Sequence, residues 1–294
     1  MKKILIIGGS GFIGKNIKEY LLNNKSYIID SPSHSELDVL NEQAVFNRLK
    51  SCFYDVVIHS GVYNPRLSNL VGEDEVEKNL HIFMNFYKYS NLFGKMIYFG
   101  SGAEYNKEYN IVSAEEGKFI NGIPNNKYGF YKYVINELIN NSKNIYNFRI
   151  FGLFGKYENW KKTFISGACC KAIYNLPLTI RQNCYFDYLY INDFLKIIDW
   201  SINVDLKKHE YNIVSGRKID LVSIANIVNK ISKKNLPIYV CKDGYANEYT
   251  ASNERLINEY KDFSLTDIHE SINDLYNYYL SIKDEIDIMS LLYQ

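Results

Sequence analysis

The stretch Met1-Lys-Lys-Ile-Leu-Ile-Ile-Gly-Gly-Ser-Gly-Phe-Ile-Gly14 decides the fold. Ile4 to Ile7 is apolar without alternation, the pattern of a parallel strand covered on both faces. The run breaks into Gly8, Gly11 and Gly14, after which Lys15 to Leu22 continues with helical periodicity. Strand, glycine turn and helix are the parts needed to hold a dinucleotide pyrophosphate. Glycine lets the backbone approach closely, and a helix N-terminus offers unpaired N–H groups and a positive dipole end. The spacing is G-x-x-G-x-x-G and not the commoner G-x-G-x-x-G. Taken alone, such a cluster also reads as a plain turn. Ser10, Phe12 and Ile13 lie within it and join Gly8, Gly11 and Gly14 as cofactor candidates.

Bulk composition narrows the class. A chain of 294 residues can bury a full α/β core and a smaller second lobe. Thirty-four basic against 33 acidic residues leave a net charge of +1, so no field for a nucleic acid is expected. No apolar run approaches the ~18 residues that span a bilayer, and the first strand starts too early to leave room for a signal peptide. The five cysteines form no C-x-x-C pair, and the adjacent Cys169 and Cys170 suit neither a bridge nor a metal site. A reduced, cytoplasmic protein without a resident metal is expected.

The second landmark is Tyr128-Gly-Phe-Tyr-Lys132, a Y-x-x-x-K whose two polar residues share one helix face. Before it stands Lys95-Met-Ile-Tyr-Phe-Gly-Ser-Gly-Ala-Glu-Tyr105, a strand running into a glycine-flanked Ser101. A serine there is usually a turn residue, and Y-x-x-x-K recurs by chance in a chain rich in Tyr and Lys. With the glycine turn, however, the set resembles the extended short-chain dehydrogenase/reductase family over nearly the whole chain. That family includes sugar-nucleotide epimerases, dehydratases and ketoreductases.

The resemblance implies a Rossmann-type doubly wound parallel sheet with a smaller C-terminal substrate-binding α/β lobe. Residues 1–155 would form the dinucleotide-binding domain and 156–294 mainly the substrate lobe, with roughly 181–216 returning to the first. It assigns Ser101, Tyr128 and Lys132 as the catalytic trio. Lys132 lowers the Tyr128 pKa and holds the nicotinamide ribose, Tyr128 exchanges a proton with a substrate oxygen, and Ser101 polarises the carbonyl.

Further cofactor positions follow from the same resemblance. Tyr27 to Asp30 reads as the second strand, but Asp30 falls early for the ribose-binding acid. Ungapped matching puts Pro32, Ser33 and His34 at the strand tip, where small polar and imidazole groups favour NADP(H) over NAD. As a solvated loop residue His34 would look the same. Glu36-Leu-Asp-Val-Leu40 resembles the family's third strand, with Asp38 and Val39 beside the adenine, although Asp38 reads equally as a cap for the helix Asn41 to Leu49. Asp55 to Gly61 resembles a fourth strand that lays Ser60 and Gly61 against the cofactor, with His59 as a packing residue. Asn147-Phe-Arg-Ile-Phe-Gly-Leu-Phe-Gly155 resembles the sixth strand and its turn, with Phe151 and Leu153 covering the nicotinamide and Gly152 where the family has Asn.

On the substrate side the resemblance assigns Gly102, Ala103, Tyr157, Trp160, Lys171, Arg181 and Asp187 together with Ser101. Phe186 replaces the family's Arg before Asp187. Tyr211 to Gly216 matches a further strand, and the remainder reads as a small helical lobe without chemistry of its own. The 4,6-dehydratases carry an Asp-Glu pair where this chain has Gly102 and Ala103. GDP-L-fucose synthase-like enzymes epimerise with a Cys and a His where it has Ala103 and Tyr157. The expected activity is therefore NADPH-dependent reduction of the 4-keto group of an NDP-4-keto-6-deoxy sugar or heptose, GDP-linked, without epimerisation. Alternatives are an NAD-dependent 4-epimerase and a non-catalytic dinucleotide sensor. A homodimer built on the Tyr128 helix and the long helix before it (Glu77 to Phe93) is implied, with Phe83, Phe86, Tyr87, Tyr131 and Val134 as its seam.

Overall fold

The structure, a computed structural model, describes residues 1–24, 26–63, 74–119 and 121–292. The first half runs β1 (Lys2–Ile7), α1 (Phe12–Leu22), β2 (Tyr27–Asp30), α2 (Glu42–Ser51), β3 (Tyr54–His59) and α3 (Glu75–Tyr87). It continues with β4 (Phe93–Ser101), β5 (Ile111–Ala114), α4 (Lys127–Asn140), β6 (Ile145–Ile150) and β7 (Gly152–Phe154). Next come α5 (Phe164–Ile173), β8 (Leu178–Asn183), β9 (Tyr185–Tyr190), α6 (Ile191–Asn203), β10 (Glu210–Ile213), β11 (Lys218–Asp220) and α7 (Leu221–Ser232). β12 (Ile238–Tyr245), β13 (Tyr249–Ala251), α8 (Glu254–Glu259), α9 (Ile268–Ser281) and α10 (Ile288–Leu292) close the chain.

Six strands make one parallel sheet in the order β10-β6-β4-β3-β1-β2. The apolar run of β1 supplies both of its faces, because successive side chains on a strand point opposite ways. Ile4 and Ile6 enter one core with Ile17 and Leu21 of α1 and Ile197 and Ile198 of α6. Leu5 and Ile7 enter the other with Val45 and Leu49 of α2, Phe83 and Phe86 of α3, and Ile135 and Ile139 of α4. This is the expected doubly wound Rossmann-type sheet. Among the described residues no helix is long and apolar enough to cross a membrane.

The segment 36–40, expected as a third strand, is instead a turn. Its backbone is satisfied without a ladder: Asn85 Nδ2 of α3 donates to Val39 O at 2.9 Å, and the Leu40 N–H donates to Asp38 Oδ1 at 3.0 Å. Leu37 buries its side chain there, and the sheet passes directly from β1 to Tyr54–His59. The C-terminal remainder is not purely helical either. β11, β9, β13 and β5 form a second sheet, with β7 joining at β9, and β12 pairs with β8. The seam residues are also corrected in part. Phe83, Phe86 and Tyr131 are at most 1% exposed within this one chain, so they are core and not free to face a partner.

Candidate active site

The glycine turn sits at the C-terminal end of β1. Gly8 has φ +80°, and a Cβ there would stand 2.7 Å from the Gly61 nitrogen. A Cβ on Gly14 would overlap the Gly8 carbonyl oxygen. The turn therefore lies flat on the end of β3, where Ser60 donates through both N–H and Oγ to Ile7 O at 3.0 and 2.6 Å. α1 starts at Gly11 with no side-chain cap, so its first N–H groups face outward, as an anion site needs. Ser10 is exposed, and Phe12 and Ile13 are partly buried around this opening. A pyrophosphate suits this opening, whose close backbone packing side chains on Gly8 or Gly14 would break.

At the tip of β2 the predicted residues are displaced. The Ser33 N–H and Oγ both donate to Glu36, at 2.7 and 2.8 Å, and His34 is exposed. Ser31 is the residue lying on the turn, since a Cβ on Gly9 would overlap its Oγ. Sequence reasoning missed it, although it directly follows the strand. Asp30 is engaged elsewhere, accepting the Tyr54 hydroxyl and pairing with Arg48 at 3.4 Å. Asp38 and Val39 stand in the turn described above, exposed and half-buried.

The trio comes together on β4 and α4. Asn126 caps α4 by accepting the Gly129 N–H at 2.8 Å, and four-residue spacing then sets Tyr128 and Lys132 on one face. Ser101 ends β4 in a capping box. Its Oγ accepts the Ala103 N–H at 3.2 Å, and Glu104 Oε1 accepts the Ser101 N–H at 2.9 Å. The Ser101 side chain lies close enough to the Tyr128 hydroxyl to lower its pKa.

Lys132 is 2% exposed and donates to the Tyr98 hydroxyl at 2.9 Å and to Phe99 O at 2.5 Å, with Nζ 6.0 Å from the Tyr128 ring centre. The family resemblance implied a lowered Tyr128 pKa; the net balance here runs the other way. Desolvation raises that hydroxyl above its ordinary value, partly offset by the Ser101 side chain. Tyr98 is a site residue that the sequence reading passed over, although strand alternation puts it on the α4 side of β4.

Beneath the trio lies a buried polar network. Arg149 is fully buried; its Nε meets Glu104 and its Nη2 meets Glu210, both at 2.7 Å. Nη1 also reaches the Tyr105 hydroxyl at 2.9 Å and Asn212 Oδ1 at 3.1 Å. Burial pushes the Glu104 carboxyl up, and the guanidinium pulls it back. The pattern S-x-x-E at Ser101 to Glu104 was a readable sign of this anchor.

Above the trio, Phe151 packs on Tyr249 at 4.6 Å between ring centres, while Leu153 is buried in the core opposite Leu189. Gly102 and Ala103 are buried and carry no titratable group.

Of the substrate-side residues, Lys171, in the last turn of α5, donates to Thr179 Oγ1 at 2.6 Å. Lys161, Lys162, Thr163, Lys171 and Thr179 line a cleft of about 420 Å³. Trp160 packs on the core next to it, under Lys161. Arg181 is exposed farther along β8.

Two assignments are corrected. The Tyr157 hydroxyl donates to Glu19 Oε1 at 2.7 Å, with Lys15 3.7 Å over its ring, so α1 holds it. Asp187 is 1% exposed and its carboxylate accepts from Ser215 N–H and Oγ (both 2.7 Å) and Gly216 N–H (2.9 Å), so it anchors the loop after β10.

Glu158 precedes α5 and accepts the Ser166 hydroxyl. Burial raises its carboxyl to about 7, opposed by bonds from Ser166 and Thr163. A folded-state pKa above the unfolded one adds stability that is complete below about pH 4.5 and lost as pH rises through 7. Glu158→Gln is therefore expected to flatten the fall in melting temperature between these pH values. Calorimetry across that range checks it; an unchanged slope would contradict the assignment.

Solved structures share this fold. GDP-L-fucose synthetase from Naegleria fowleri superposes with a TM-score of 0.81 at 16% identity, over 96% of this chain and 94% of that one. GDP-D-glycero-L-gluco-heptose synthase from Campylobacter jejuni, solved in the presence of NADPH, gives 0.76 at 16% identity over 95% and 98%. UDP-glucuronic acid 4-epimerase from Bacillus cereus, in complex with UDP-glucuronic acid and NAD, gives 0.75 at 20% identity over 95% and 99%. No curated protein sequence matches significantly. The family model nevertheless matches residues 4–214, and the chain belongs to the NAD dependent epimerase/dehydratase family.

Proposed function

We propose that the chain is an NADPH-dependent reductase of the 4-keto group of a nucleoside-diphosphate-linked 4-keto-6-deoxy sugar or heptose. We further propose a GDP-linked substrate, a role in surface polysaccharide synthesis in the cytoplasm, and no epimerase activity. The observation that carries the reading is the convergence of Ser101 at the end of β4 with Tyr128 and a buried Lys132 on one face of α4, next to a Gly102 and Ala103 that cannot move protons. When bound, the nicotinamide supplies the hydride.

The protein's own residues do the remaining work. Tyr128, kept protonated by its raised pKa, gives its proton to the oxygen that gains charge as the ketone is reduced. Ser101 donates a second hydrogen bond to that oxygen. Lys132, fixed by Tyr98 and Phe99 O, places a cation where the tyrosinate is left behind. Gly8, Gly11, Gly14, Ser60 and Gly61 would hold the dinucleotide, with Ser31, Ser33 and His34 at its ribose end. Asp30 is already occupied by Tyr54 and Arg48, and this supports NADPH over NAD. The lysine-lined cleft at the start of α5 has the charge to take the diphosphate, and Arg181 the reach for the nucleoside. A dimer, if formed through α3 and α4, has Tyr87 and Val134 left for its seam, both half-buried.

The test is to follow loss of reduced-nicotinamide absorbance with NADPH, and separately NADH, on a freshly made GDP-4-keto-6-deoxy sugar or heptose. Consumption of NADPH with a single C4 product by NMR is expected. No consumption, together with interconversion of a 4-hydroxy sugar nucleotide and copurified NAD, would replace the reading with a 4-epimerase.

A further inference from the structure

The loop that leaves β4 brings a cation back to the trio. After Tyr105 the chain turns at Asn106, whose φ of +65° is a left-handed conformation that asparagine adopts more readily than most residues. Its side chain holds the turn at two points. Asn106 Nδ2 donates to Asn121 O at 3.1 Å, and its Oδ1 accepts the Glu108 N–H at 3.3 Å. Lys107 follows, an exposed residue whose ammonium lies 3.8 Å from the centre of the Tyr249 ring in β13. That ring is 5% exposed and is set against Phe151 at 4.6 Å and Phe186 at 5.7 Å. Its hydroxyl lies at Gly102, where a Cβ would stand 2.5 Å from it. One tyrosine thus touches both the residue after Ser101 and the Lys107 cation.

We propose that Lys107 binds the sugar-side phosphate of the nucleoside-diphosphate-linked substrate. Among the described residues its ammonium makes no hydrogen bond and no ion pair. A ring attracts a cation without neutralising it. Desolvation lowers the Lys107 pKa, and no carboxylate offsets the shift, so the charge gains most from an incoming anion. The substrate carries its anion in a suitable place. A C4 ketone held by Ser101 and Tyr128 puts C1, and the phosphate bonded to it, across the sugar ring. Tyr249, with its hydroxyl at Gly102 and Lys107 at its ring, spans a similar interval. Phe186, packed on the same tyrosine, brings no charge of its own. Lys161 and Lys162 in the cleft beside α5 are then left for the nucleoside-side phosphate.

The inference rests on the sugar-nucleotide reading, and its test reads binding so as not to depend on turnover. Calorimetry with GDP, UDP and dTDP selects the diphosphate that the parent binds most tightly, with the matching monophosphate as control. Lys107→Gln is expected to weaken the diphosphate about tenfold, roughly the loss of one charge-assisted hydrogen bond, and to change the monophosphate less than about twofold. Lys107→Arg, which keeps the charge, should retain most of the diphosphate affinity. On a 4-keto sugar nucleotide the loss in Lys107→Gln should appear in KM and not in kcat. Unchanged diphosphate affinity overturns the proposal. So does an equal loss for monophosphate and diphosphate, which would put Lys107 on the nucleoside side. A fall in kcat at unchanged KM also overturns it, because Lys107 would then act at the reacting carbon. Diphosphate affinity that depends on Lys107 in a parent reducing no 4-keto sugar nucleotide would support the inference and end the reductase reading. A parent that binds none of the diphosphates overturns both.

Discussion

Tyr128→Phe is expected to slow reduction of the 4-keto sugar nucleotide by about a thousandfold while changing NADPH affinity less than about twofold. The ring keeps its edge-to-face contact with Tyr131 at 5.5 Å between centres, so the fold is not disturbed. What disappears is the Tyr128 hydroxyl, which burial keeps protonated at neutral pH. Without it the oxygen gains charge with only Ser101 to stabilise it, and a thousandfold corresponds to about 4 kcal/mol of barrier. The parent enzyme should also lose activity as pH rises past neutrality. Burial pulls the Lys132 ammonium down to about 7, so the cation under Tyr128 titrates away in that direction. Single-turnover rates with saturating NADPH measure both effects. Turnover unchanged by Tyr128→Phe would end the assignment of the trio.

Arg149→Met is expected to cost about 3–5 kcal/mol of stability, read from equilibrium urea unfolding. Arg149 is buried between two carboxylates, Glu104 with no exposure and Glu210 with 6%. Removing the guanidinium leaves the buried Glu104 without its cation and Glu210 with only Arg255, 3.6 Å away, and desolvation is the larger cost. Adding Glu104→Gln to Arg149→Met should restore part of the loss, since one of the stranded charges is then gone. Activity should fall as well, because Glu104 holds the Ser101 N–H and thereby the turn that presents Ser101. A loss below about 1 kcal/mol would show that the network is not bearing this charge.

Much of the dinucleotide half was legible because its determinants are local. An unbroken apolar run, three glycines and a helical period within a few residues specify strand, turn and helix together. Four-residue spacing alone puts Tyr128 and Lys132 on one face. The expected third strand at 36–40 misled for a reason of the same kind. Its apolar residues suit a strand, but side chains from α3 and its own Asp38 satisfy the backbone first. Tyr157 was placed by counting along a turn, and Asp187 by matching a motif of the family. Neither could show that Glu19 takes one and the Ser215 loop the other. Phe83, Phe86 and Tyr131 were apolar in the way a seam or a core would be, and burial assigned them to the core.

By itself, then, the sequence determined a strand, glycine turn and helix at the start of a Rossmann-type sheet, and Tyr128 and Lys132 on one helix face. Each of these is written in short-range spacing; Ser101 joined them through the family resemblance. Only the tertiary structure decided that Lys132 rests on Tyr98 and not on Tyr128, that Arg149 is clamped between Glu104 and Glu210, and that Tyr249 arrives beside Gly102 from the far end of the chain. These contacts join strands distant in sequence, and their partners are selected by sheet register and by the need of buried polar groups to find one another.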